Sequence, residues 1–233
     1  YNRFSVQTED LNAFIVAGIH IPGFATVSFL PYFNRKYIMF EVHQFRRYEP
    51  YAGSKMMLIY VRDNLMMRSL AKSDAAKVYA VVDNNRDYLR TWLPWVDATD
   101  EPAVIEKVIA SWETDYENKR DVVLGIFENG AYIGNIGLHD LNRHNRSGMV
   151  GYWLAENHQG RGIMTDCVRA LTDVGFDTLG LNRIYIHCAE ENTKSRAIPE
   201  RLGFVQEGIF QDGECLYGTF HNLVVYGMVK RNW

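Results

Sequence analysis

A short apolar stretch, Met149–Ala155, runs into a glycine-bearing turn, Gln159-Gly160-Arg161-Gly162, and a helical pattern begins at once. A strand, a tight turn and a helix in such close succession leave backbone N–H groups unpaired at the positive end of a helix dipole. Glycines let the main chain approach a ligand closely, and Arg161 adds a cation. This combination suits a phosphate or pyrophosphate. It is neither a Walker loop, since no Gly-Lys-Ser/Thr follows, nor a GxGxxG fingerprint. A plain strand–turn–helix is the alternative reading.

The chain has 233 residues, enough for one well-cored domain with an appendage. Its hydrophobic content of 47% and charged content of 23% are those of a globular protein. A net charge of −3 argues against direct nucleic-acid binding, and the pair Arg46-Arg47 is too small to reverse that. Cys167, Cys188 and Cys215 show no CxxC spacing, so neither a disulfide framework nor a zinc site is expected. Cys167 and Cys188 lie in apolar patterns and read as buried free thiols, which fits a reducing cytoplasm. No apolar run reaches the ~18 residues of a membrane span, and with no basic-then-apolar pattern at its start no signal peptide is expected.

Residues 1–56 differ in character from residues 57–233. Phe24–Phe40 is aromatic and β-branched, punctuated by Pro22 and Pro31, and is expected to form strands or a packed arm. Its role stays open, a dimerisation arm among the choices. From Met57 onward the pattern is α/β. Asn64–Leu70 reads as a strand, and Ser73 or Asp74 caps a helix carrying Ala75, Val78, Tyr79 and Val82. Pro94 ends a short helical piece. Thr99 or Asp100 caps a helix opened by Pro102, with a stripe of Ile105, Val108, Ile109, Trp112 and Tyr116. Val122–Phe127 and Ala131–His139 form a hairpin around Glu128-Asn129-Gly130. A helix from Gly162 to about Leu179, a strand Arg183–Ala189, a helix Thr193–Leu202 and strands Phe204–Phe210 and Phe220–Val229 complete a mixed sheet with helices on both faces.

Three motifs in order carry a family resemblance. Gln159-x-x-Gly162-x-Met164 resembles the acetyl-CoA pyrophosphate loop of the GCN5-related N-acetyltransferases (GNAT), Gln/Arg-x-x-Gly-x-Gly/Ala, with Met164 where Gly or Ala is commoner. Asn192 to Phe204, followed by Glu207-Gly208, looks like that superfamily's second cofactor segment. Asn85 to Trp95 is similar to a segment of the ribosomal-protein-serine branch. The resemblance covers about Met57 to Trp233. It implies a GNAT fold: a mixed, mostly antiparallel sheet flanked by helices, its central strands splayed.

The resemblance also implies a chemistry. Acetyl-CoA would be anchored by the backbone of Gln159, Gly160, Arg161, Gly162, Ile163 and Met164, and along the strand by Val150, Tyr152, Trp153 and Leu154, which pair with the pantetheine arm as an added strand would. Simple packing is the alternative for Trp153, and an N-cap for Asn192. Asn192 and Ser195 open the second segment, and Ser195 is assigned as acid or oxyanion donor. An α-amine with pKa near 8 is mostly protonated at pH 7, so a base helps. Glu214, ten residues after Phe204, takes that role, against a reading as a solvated turn residue. Tyr88, Trp92 and Trp95 would line the acceptor groove; the alternative is an aromatic core cluster. His139 and Tyr217 are minor candidates for proton handling, and Glu156 is a poorer base because a second anion beside phosphate would repel. The histidines show no metal spacing, so no metal is expected.

The expected activity is direct acetyl transfer from acetyl-CoA to the N-terminal α-amine of a protein, a ribosomal one by the resemblance. A small amine such as an amino sugar, polyamine or antibiotic is the rival acceptor, and a non-catalytic acyl-CoA-binding module the rival class. Neither a membrane nor a nucleic acid is expected as partner, while a homodimer is a family-level expectation.

Overall fold

The computed structural model describes residues 39–42 and 56–233. Among these, nine strands form one sheet: β1 (Met39–Val42), β2 (Met56–Arg62), β3 (Leu65–Arg68), β4 (Val122–Glu128), β5 (Ala131–Asn142), β6 (Ser147–Leu154), β7 (Arg183–Ala189), β8 (Val205–Leu216) and β9 (Thr219–Val229). Their spatial order is β1-β2-β3-β4-β5-β6-β7-β9-β8. Every pairing is antiparallel except β6 with β7. Five helices accompany the sheet: α1 (Ala75–Asn84), α2 (Arg86–Leu89), α3 (Pro102–Glu117), α4 (Ile163–Asp177) and α5 (Thr193–Arg201).

The helices cover both faces because the inner strands are apolar on both. Leu124, Ile126, Ile136 and Leu138 belong to one core with Ile163, Cys167, Leu171 and Phe176 of α4. Phe127 and Tyr132 belong to a second core with Val78 and Val82 of α1 and with Ile105 and Ile109 of α3. Cys167 and Cys188 are buried free thiols, and burial pushes the Cys167 thiol up to about 12. Among the described residues no helix is long and apolar enough to cross a membrane.

Several local readings shift. Within Asn64–Leu70 the strand is Leu65–Arg68; the chain turns at Asp63-Asn64, and β3 returns along β2, a strand not anticipated, as a hairpin. Glu101, not Thr99 or Asp100, is the N-cap of α3. The Thr99 hydroxyl is buried and donates instead to the Trp95 carbonyl at 3.1 Å. Pro94 opens a 3-10 turn, Pro94–Ala98, where its fixed φ fits a first helical position. The last two strands extend to a short turn at Tyr217-Gly218, with a bulge between Phe210 and Glu214. Most of Phe24–Phe40 lies outside the described residues; Met39–Val42 adds a strand beside β2.

The feature that positions the site is how β6 and β7 meet. They pair in parallel only at Ser147↔Arg183, Gly148↔Ile184 and Met149↔Tyr185. Beyond Met149, β6 keeps its pairing with β5, while β7 stays paired with β9 along its whole length. The two strands therefore part, leaving β6 without a strand neighbour on one side from Val150 to Leu154.

The β5–β6 register is enforced by contact. A Cβ at Gly134 would lie 2.3 Å from the Trp153 carbonyl oxygen and 3.0 Å from Leu154 Cα. Gly134→Ala should cost about 1–3 kcal/mol of stability through this overpacking. Chemical denaturation checks it, and an unchanged midpoint would contradict the register.

Candidate active site

The gap between β6 and β7 opens into a cleft of about 850 Å³ walled by α2, β6, the first turn of α4 and the start of α5. Of the anticipated cofactor contacts, Tyr152, Trp153, Leu154, Gln159, Gly160, Gly162, Ile163, Met164, Asn192 and Ser195 line it. Val150 sits deeper, 2% exposed in the core.

The turn into α4 owes its shape to two glycines. Gly160 has φ +71° and Gly162, the N-cap, φ +74°, left-handed conformations that strain side-chain-bearing residues. A Cβ at either position would meet nothing within 4 Å, so open space lies beyond both. No side chain caps α4. Its first amides are thus left for a ligand. Met164 needs no special backbone: it is 7% exposed and packs into the core beneath the turn.

Arg161 does not point into the cleft. Its guanidinium grips Glu128 at 2.9 and 2.7 Å, and His158 Nδ1 lies 3.0 Å from the same carboxylate. Glu128, 5% exposed at the end of β4, thus pins the turn to the β4–β5 hairpin. The turn is tied on its other side as well. Gln159 donates to the Tyr88 hydroxyl and accepts from Lys194 Nζ at 3.2 Å, and Glu156 N–H donates to Asn85 Oδ1 at 2.9 Å. Sequence reasoning missed Glu128, His158, Lys194 and Arg201. Nothing local marks Glu128, because its partners lie 30 or more positions away.

Across the cleft, Asn192 is the N-cap of α5, its Oδ1 accepting from Ser195 N–H at 3.1 Å. The Ser195 hydroxyl lies 3.2 Å from Cys188 Sγ and donates to the Tyr152 hydroxyl at 3.2 Å. Tyr152 in turn donates to the Ser195 carbonyl at 3.1 Å. Burial raises Tyr152 well above the usual phenol range and also raises the Cys188 thiol, so both stay protonated at neutral pH. Ser195 is therefore a neutral hydroxyl among neutral donors, able to hydrogen-bond to an oxyanion or a thiolate.

The acceptor-side residues separate. Tyr88 and Trp92 line the cleft; Trp95 stands behind the wall, 40% exposed, its ring 6.1 Å from Trp153. Trp153 also meets Tyr132 in the second core, so it packs and lines the cleft at once. Glu214 is not in the cleft wall. It sits half-buried on β8 directly opposite His221 of β9, whose ring meets Trp92 edge-on at 6.0 Å. Burial pushes the Glu214 carboxyl up, with His221 pulling the other way. His221 Nδ1 is 3.3 Å from Glu191 Oε2. Tyr217 lies at the hairpin tip under the Arg90 guanidinium, and His139 is paired with Asp121 at 3.0 Å; neither lines the cleft. Among the described residues no group of three His, Cys, Asp or Glu could hold a metal ion.

The grip on Glu128 has a pH signature. The Arg161 hydrogen bond, opposed by burial and aided by His158, holds its carboxyl below the ordinary value of 4.5. Stability from this network is present above that value and is lost as pH falls through the lowered one. Glu128→Gln should therefore lower the melting temperature at neutral pH, and the gap should close on acidification below 4.5. Melting curves across pH check this; a gap that persists in acid would sink the assignment.

The comparisons with known proteins agree with this geometry. The family model "Acetyltransferase (GNAT) domain" matches residues 64–205. The "Putative ribosomal N-acetyltransferase YdaF" of Bacillus subtilis is 35% identical over 179 residues, 76% of this chain and 98% of the relative. The ribosomal-protein-serine acetyltransferase of Escherichia coli is 25% identical over 171 residues, 73% of this chain and 96% of the relative. A microcin C7 self-immunity acetyltransferase solved in complex with acetyl-CoA and AMP superposes with a TM-score of 0.70 at 26% identity, covering 72% of this chain and 94% of that one. With its splayed strands, left-handed glycine turn and matched domain, this chain belongs to the GNAT acetyltransferase family.

Proposed function

We propose that this chain transfers the acetyl group of acetyl-CoA to the N-terminal α-amine of a protein, a ribosomal protein by likeness to its relatives. The observation that carries the reading is the cleft itself. An open strand edge on β6 leads to an uncapped helix start at two left-handed glycines, with a hydroxyl, Ser195, on the opposite wall. The fit to the cofactor is physical. Free amides at the α4 start suit a pyrophosphate, and the unpaired edge of residues 150–154 suits an amide-bearing arm that pairs as an added strand. Lys194 and Arg201, both in the cleft wall, are cations available to further phosphate charge, a part Arg161 is not free to play.

When bound, acetyl-CoA supplies a thioester carbonyl to the acceptor amine. Glu214, on the β8–β9 hairpin outside the cleft wall, takes the proton that the amine must lose through an intervening water, and its burial-raised carboxyl suits a base working nearer neutrality than an ordinary glutamate. Ser195 donates a hydrogen bond to the developing oxyanion or the departing sulfur once its single proton rotates off the Tyr152 hydroxyl, to which it donates in the unliganded cleft. Trp92 and Tyr88 offer an aromatic wall to the acceptor.

Calorimetric titration of acetyl-CoA, followed by thiol release with Ser-starting peptides and a panel of small amines, tests the reading. Peptide-dependent release is expected. Release with small amines only would move the chain to a metabolite acetyltransferase, and binding without turnover to a non-catalytic module. Gly162→Val should weaken acetyl-CoA binding about ten-fold or more, because a β-branched residue at φ +74° adds strain of about 1–3 kcal/mol. Glu214→Gln should lower turnover by about 100-fold with acetyl-CoA affinity unchanged. It should also abolish the rise of rate with pH as the Glu214 carboxyl ionises above its ordinary 4.5. Full activity in this variant would remove Glu214 from the mechanism.

A further inference from the structure

A second concavity, of about 670 Å³, lies at the closed end of the sheet, where β6 and β7 are still paired. Its floor is apolar, built from Val122, Leu141, Leu179 and Leu181. Its rim carries three cations: Lys119, just past the end of α3, and Arg143 and Arg146 on the β5–β6 loop. All three are exposed. None forms an ion pair among the described residues, whereas most other arginines here do. One carboxylate, Glu117, shares the rim.

The cations are held on ordered turns. Lys119 and Arg146 adopt left-handed backbone, φ 54° and 49°. Lys119 N–H donates to the Tyr116 carbonyl at 3.0 Å, while the Arg146 carbonyl accepts from Asn182 at 2.6 Å and Arg183 at 3.1 Å. A chain with net charge −3 has placed three positive groups, without ion pairs among the described residues, around an apolar floor. Such a surface complements a ligand that is anionic along its edge and apolar in its middle. Tyr116 is the one aromatic in the lining, short of the run of stacking platforms that nucleobases call for, and a chain with net charge −3 lacks the basic excess of a nucleic-acid binder.

We propose that this groove docks an acidic, leucine-bearing segment of the protein acceptor, as a second contact apart from the acetyl-transfer cleft. The proposal rests on the reading that the acceptor is a protein. Arg146 immediately precedes Ser147, so the groove and Leu154 at the cleft are separated by the length of β6, about 25 Å at a strand's rise. An extended acceptor needs about eight residues or more between its N-terminus and the docked segment. A small amine reaches only the cleft.

The test is fluorescence anisotropy with a labelled peptide of alternating Glu and Leu, compared with a Gln/Leu peptide and an oligouridylate of equal length. The Glu/Leu probe should bind the whole chain, and binding should weaken as salt rises. Arg143→Glu with Arg146→Glu should weaken it about ten-fold or more, and Lys119→Glu should act in the same direction. Equal binding of the Gln/Leu probe, or a double variant that binds as before, overturns the proposal. Tighter binding of the oligouridylate overturns it in favour of nucleic acid. If charge reversal lowers the melting temperature, Arg143→Gln with Arg146→Gln takes its place. Acetylation of a short Ser-starting peptide serves as the separate readout and should be unchanged in every groove variant. Its absence in the parent chain would refute the protein-acceptor reading itself, whereas lost probe specificity alone refutes only the groove.

Discussion

Everything in this molecule that bears on acetyl transfer depends on the parting of β6 from β7. A parallel pair that continued past Met149↔Tyr185 would satisfy the β6 backbone and fill the space in which a ligand can lie. The separation is kept by the partners each strand retains. β6 is held by β5 from Met149 to Leu154, and β7 by β9 from Arg183 to Ala189. Each strand has one complete ladder, so the missing hydrogen bonds fall only on the inner edges, where a ligand can supply them.

The turn at the end of β6 is fixed from two directions by side chains far apart in the chain. Glu128 draws Arg161 and His158 toward the hairpin, while Tyr88 and Lys194 hold Gln159 from the other side. A buried carboxylate held by a bidentate guanidinium is a directional contact. It orients the glycine turn so that the backbone faces the cleft and the Arg161 charge does not. That arrangement leaves main-chain amides of the turn facing the cleft, with Lys194 and Arg201 as the cations in the wall. Trp92 joins the cleft to the β8–β9 hairpin through His221, which stands opposite Glu214.

Much was legible in the sequence. The hairpin around Asn129-Gly130, the helical stripe of α3, the strand Arg183–Ala189 and the Asn192 cap are local signals, each written in a dozen or so neighbouring residues. Boundaries were less legible. The Thr99 hydroxyl suits a cap by type, yet it bonds back to the Trp95 carbonyl, and Glu101 is the N-cap before Pro102. The strand expected over Asn64–Leu70 is present as Leu65–Arg68, but its hairpin partner Met56–Arg62 goes unread because nothing before the Asp63-Asn64 reversal marks where that strand begins.

By itself, the sequence determined that an uncapped helix would start at a glycine turn after an apolar strand, with an Asn-capped helix to follow. Glycine at positions 160 and 162, apolar periodicity and capping preference act within a few residues, so they can be read without knowing the fold. Only the tertiary structure decided that Arg161 would turn away from the cleft, that Trp95 would stand behind its wall, that Glu214 would meet His221, and that Lys119, Arg143 and Arg146 would ring one groove. Those outcomes depend on contacts between segments tens of residues apart, whose energies are settled by packing and by which charges come together. No local pattern encodes them.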